Sequence, residues 1–101
     1  MGLQTKQSKF ARMVAILILQ AEVLGYEVTF GDAYRYPGCP YGLDNSLHKI
    51  RLAVDLNVFK DGVYLRKGYD DLGEWWEAQG GSWGGRFADD NHFSLEHKGV
   101  Q

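Results

Sequence analysis

The chain has 101 residues, 45% of them hydrophobic and 14% aromatic, with a formal net charge of −2 and a pI near 5.8. That size suits one compact domain, and the composition can fill a core, so extended disorder is excluded. The 11 Lys and Arg are scattered and form no basic patch of the kind a nucleic-acid binder carries, while a lone cysteine, Cys39, excludes a disulfide framework and a multi-cysteine metal site.

Residues from about 4 to 24 read as one helix. Phe10, Met13, Val14, Leu17, Ala21 and Leu24 recur at spacings of three and four, with Lys9, Arg12 and Gln20 on the other side. Thr5 is the expected N-cap, and Gly25 the residue that ends the helix in a left-handed conformation. Lys6, Lys9 and Arg12 before the apolar run Met13 to Leu19 loosely imitate a secretion signal, but no small-x-small cleavage site follows. The run is also far short of the roughly 20 apolar residues that span a bilayer. Neither a signal peptide nor membrane insertion is therefore expected.

Tyr26 to Phe30 alternates like a strand, and residues 31 to 47 hold enough Gly, Pro, Asp and Asn to be a long loop, of a length that is usually functional or mobile. Ala53 to Phe59 fits a second strand, Lys60-Asp61-Gly62 a turn, and Val63 to Leu65 its hairpin partner. Asp71 to Ala78 suits a short helix ended by Gly80-Gly81, and His92 to Leu95 a last strand. With 13 glycines, collected in the second half, this succession predicts an α+β domain over residues 1–101.

Two clusters carry chemistry. One runs from Ser46 through His48 to Asp55, and the other is Asp89-Asp90-Asn91-His92-Phe93. Together they offer two imidazoles and up to three carboxylates, and a catalytic zinc typically takes three such ligands and keeps a position open. His48 and Asp55 are seven residues apart and can meet if His48 ends a loop and Asp55 lies in the strand that follows. On these residue types alone, surface or hydrogen-bonded histidines remain the commoner explanation.

Ser46-x-His48-x(4)-Ala53-x-Asp55, followed by Asp89-x-x-His92, resembles the two motifs of the zinc D-alanyl-D-alanine carboxypeptidases and their relatives, the L-alanyl-D-glutamate endopeptidases of phage endolysins. Trp83-Gly84-Gly85-Arg86-Phe87 before the second motif resembles the endolysin branch, as does Asn91 where carboxypeptidase relatives commonly carry tryptophan. The resemblance implies the Hedgehog/DD-peptidase fold, an antiparallel sheet with packed helices. It implies Zn²⁺ held by His48, Asp55 and His92, with Asp89 as general base and Arg35 polarising the scissile carbonyl; Arg51 and Arg86 are alternatives for that last role. Ser46, Tyr34 and Trp83 would bind substrate. The expected function is endolysin-like hydrolysis of the L-alanyl-D-glutamate bond of peptidoglycan stem peptides, by a monomer made in the host bacterial cytoplasm and acting on the wall. The alternatives are D-alanine trimming and a metal-stabilised wall-binding module without catalysis.

The chemistry suits these residue types. Two neutral imidazoles and one carboxylate leave Zn²⁺ near a net +1, enough to acidify a water, and a carboxylate that does not ligate can take its proton. Other conspicuous residues have plainer readings. Trp75 and Trp76 read as core anchors, His97 as exposed, and Arg66-Lys67 and Asp70-Asp71 as a solvated turn. Cys39 has no histidine at a nucleophile's spacing.

Overall fold

In a computed structural model, which describes residues 2–34, 36 and 46–101, the apolar spacing of the N-terminal segment produces the helix α1 (Leu3–Val23). Phe10, Met13, Leu17 and Ala21 are its buried residues, whereas Leu24, placed by spacing on the same stripe, lies beyond the helix and is exposed. The N-cap is Gly2 instead of Thr5, and no side chain caps the helix, so Thr5 falls within the first turns. Its C-terminal end is as expected. Gly25 takes φ 88°, and the Tyr26 N–H reaches back to the Ala21 carbonyl at 2.9 Å, satisfying a carbonyl the helix leaves free.

The remaining elements make the chain α+β. They are β1 (Glu27–Phe30), a 3-10 turn (Leu47–Ile50), β2 (Ala53–Lys60), β3 (Val63–Leu65), α2 (Asp70–Ala78), β4 (Ser82–Trp83), a second 3-10 turn (Gly84–Phe87) and β5 (His92–Ser94). The readings of Arg35 and Cys39 lie outside the described residues. All strand pairs are antiparallel, in the order β1-β2-β5-β4, with β3 also on β2. The β2–β3 hairpin closes through Asp61 and Gly62 at φ 52° and 77°, the two positive values that an Asp-Gly turn supplies most readily.

Strand alternation divides β2 cleanly. Val54, Leu56 and Val58 are buried, while Asp55, Asn57 and Phe59 on the opposite face are only partly covered. Trp76 of α2 joins the helices to the sheet. It is 0% exposed, meets Phe10 and Phe93 edge-on at 5.7 and 5.6 Å, and donates its indole N–H to the Ser94 carbonyl at 2.9 Å. The core reading of Trp76 therefore holds, and Trp75 packs against the same cluster half-buried. His97 is half-buried instead of exposed, because its ring nitrogen faces the Lys6 ammonium at 3.2 Å and its backbone bridges to Val100. Among the described residues, no helix is long and apolar enough to cross a membrane.

Candidate metal centre

His48 is delivered by a short, tightly closed segment. The Ser46 hydroxyl accepts the His48 N–H at 3.3 Å and so caps the first 3-10 turn. Arg51 then takes a left-handed conformation (φ 58°), and the Leu52 N–H returns to the Leu47 carbonyl at 2.9 Å. The chain reverses within two residues and enters β2 at Ala53. This is why a histidine seven residues before Asp55 comes to lie against it. His48 is 2% exposed.

Asp55 and His92 meet by strand register, as directly opposed residues of β2 and β5. Gly31 makes room for this pair: its N–H bonds the Asp55 carbonyl at 2.8 Å, and a β-carbon there would lie 3.2 Å from that of Asp55. The outcome is a convergence of three donor atoms. Asp55 Oδ1 lies 3.3 Å from His48 Nε2 and 3.3 Å from His92 Nδ1, and all three atoms fall within 4.8 Å of one another. The two imidazoles sit at 72° with centroids 5.2 Å apart.

These residues fit a zinc ion. Ligands about 2.0–2.1 Å from a tetrahedral centre lie roughly 3.3–3.4 Å from each other, which is the spacing of the two nitrogens from Asp55 Oδ1. Among the described residues, His48 Nδ1 is buried with no hydrogen-bond partner, and the buried Asp55 Oδ1 has only the two imidazole nitrogens beside it; a buried carboxylate oxygen is costly unless something cationic engages it. Burial pushes the Asp55 carboxyl up, but the adjoining His48 and His92 outweigh it and bring the group down to about 2. Asp55 is thus held as a carboxylate, the form a metal ligand needs.

Asp89 is not part of the converging group and is exposed, which leaves its carboxylate outside the ligand set. It rides on a turn just ahead of β5, where the His92 N–H donates to the Asp89 carbonyl at 3.1 Å and the Asp89 N–H to the Gly84 carbonyl at 2.8 Å. Trp83 is 3% exposed, and its indole N–H donates to the Asp90 carbonyl at 2.7 Å. Tyr34 is 41% exposed, and the Arg51 guanidinium lies 4.1 Å over its ring. Both edge a cavity of about 410 Å³ that Phe10, Val14 and Val54 also line, on the helix side of β2 and away from Asp55. Arg86 makes a two-pronged pair with Glu77, at 3.0 and 2.6 Å, which holds the Glu77 carboxyl below its usual range.

One residue of this neighbourhood escaped the sequence reading. Tyr69 is buried, and burial, then the charges of Asp90, Tyr64, Asp89 and Asp55, raise its phenol well above the usual range. Its hydroxyl therefore stays protonated, under the electrostatic influence of Asp90, Asp89 and Asp55. A tyrosine before a short helix has no sequence signature for that role.

Comparison with curated proteins gives no match. Residues 42–95, just over half of the chain, match a family described as D-alanyl-D-alanine carboxypeptidase, and that stretch holds all three converging residues and Asp89. With motif and donor geometry in agreement, this chain belongs to the D-alanyl-D-alanine carboxypeptidase family of peptidases.

Proposed function

We propose that the chain is a zinc-dependent, endolysin-like peptidoglycan peptidase that hydrolyses the L-alanyl-D-glutamate bond of wall stem peptides. The observation that carries the metal part is the approach of His48 Nε2 and His92 Nδ1 to a single Asp55 oxygen, 3.3 Å each. Zn²⁺ bound there would act as a Lewis acid on the scissile carbonyl and acidify a water at neutral pH. The chain's own part begins at Asp89. Its carboxylate would accept a proton from the attacking water and return it to the leaving amine. Arg35 is proposed to meet the charge that develops on the carbonyl oxygen. Ser46 is a proposed substrate contact, together with the loop that Trp83 supports, whereas Tyr34 lines the cavity on the other side of β2.

Two measurements test this reading. The purified protein is expected to hold about one zinc per chain, as a three-ligand site predicts. Elemental analysis should find that His48→Ala has lost it, and undiminished zinc in that variant would remove His48 from the site. For the bond, mass spectrometry of digested peptidoglycan should find peptides beginning with D-glutamate and new L-alanine C-termini left on the glycan. The description of the matched family favours a second reading, cleavage of D-alanyl-D-alanine. Release of free D-alanine with the L-alanyl-D-glutamate bond intact would establish it.

A further inference from the structure

The turn carrying Asp89 is held with unusual thoroughness for an exposed segment. Trp83 lies in a slot between two glycines. A β-carbon on Gly73 would fall 2.1 Å from the ring, and one on Gly85 would fall 2.3 Å from it. The Arg86 guanidinium, fixed by Glu77, stands 5.3 Å from the ring. The indole has no freedom to tilt, and its N–H is aimed at the Asp90 carbonyl, 2.7 Å away. On the other side, Gly84 presses on the Asp89 carbonyl and accepts the Asp89 N–H. Among the described residues nothing bonds the Asp89 carboxylate itself, so its place comes from the backbone that bears it.

Resting on the assignment of Asp89 as base, we propose that Trp83 is a positioning residue, whose indole N–H fixes the Asp89 turn at the distance and angle that proton transfer requires. Packing alone does not explain this arrangement. Trp76 already fills the core between the helices and β5, and a phenyl ring would occupy much of the glycine slot. What tryptophan adds is a donor on its edge, and that donor goes to the residue adjoining the base. A base displaced by about 1 Å can lose up to about a hundredfold in rate.

The test is Trp83→Phe, which keeps a ring between Gly73 and Gly85 and removes the N–H. Assayed on purified peptidoglycan, kcat is expected to fall about 10- to 100-fold, with KM within about twofold and zinc content unchanged. In an Asp89→Asn background the same change should cost less than about twofold, because its effect runs through a base already absent. Benzothienylalanine at position 83, which keeps the bicyclic shape without the donor, should reproduce the loss and decides the matter if Trp83→Phe folds poorly. A rise in KM at constant kcat would make Trp83 a substrate wall and overturn the proposal, as would an equal loss in both backgrounds. Full activity in Asp89→Asn alone would instead overturn the base assignment. A disabled Asp89→Asn beside an unimpaired Trp83→Phe would overturn only the positioning role.

Discussion

Asp89→Ala is expected to retain its zinc and its melting temperature while hydrolysis falls by about 10²–10⁴-fold, the range that general-base catalysis contributes. The separation of effects follows from where Asp89 sits. Its side chain is exposed, lies outside the group formed by His48, Asp55 and His92, and supports no packing. Its backbone N–H and carbonyl, which bond Gly84 and His92, survive the substitution. Asp90→Ala is the matched control. The Asp90 carbonyl that receives the Trp83 N–H is main chain and also survives, so this variant should lose only a few-fold. Parallel assays with metal analysis check both. An equal loss in the two variants, or a larger one in Asp90→Ala, would show that the base had been assigned to the wrong carboxylate.

Gly84→Ala is expected to damage stability and metal affinity together. A β-carbon at this position would lie 2.2 Å from the Asp89 carbonyl oxygen and 2.7 Å from the β-carbon of His92. Neither atom can swing aside as the end of a long side chain would. Either the Asp89 turn opens or β5 shifts away from β2, and in both cases His92 leaves its place opposite Asp55. Overpacking of this kind typically costs about 1–3 kcal/mol, and each kcal/mol lowers Tm by about 4–8 °C in a domain near 100 residues. Thermal melts with and without added zinc check the prediction. A variant that melts like the native chain and binds zinc equally well would show that the turn can relax at no cost.

The sequence made the long, periodic parts of the fold legible. The stripe on α1, the alternation in β2 and the Asp61-Gly62 turn each follow from spacing or backbone preference, and their boundaries moved by a residue or two. The two-residue β4 and the two 3-10 turns were not legible, because two or four residues are too few to express a period. Nor were the left-handed Arg51 and Ala88, since a non-glycine residue with positive φ carries no mark in the sequence. The convergence of His48, Asp55 and His92 was expected only through the resemblance to the family motifs, and the means by which they assemble was not legible at all. Trp83 could be placed near the second motif, yet only the positions of Gly73 and Gly85 reveal that its ring is locked and its N–H committed. His97 likewise reads as a surface residue until the chain brings Lys6 to it.

The direct opposition of Asp55 and His92 across β2 and β5 has a consequence for how the domain reaches its native state. Side chains alternate between the faces of a sheet, so sliding β5 by one residue would turn His92 toward the helices and bring Phe93 out to the open face. The ligand trio exists in one register and vanishes in its neighbours. An ion bound by these three side chains would thus discriminate between pairings that differ little in backbone hydrogen bonding, adding its binding energy to the correct one alone. A strand of only three residues, too short to fix its own alignment firmly, would have that alignment proofread by a metal bound at this trio.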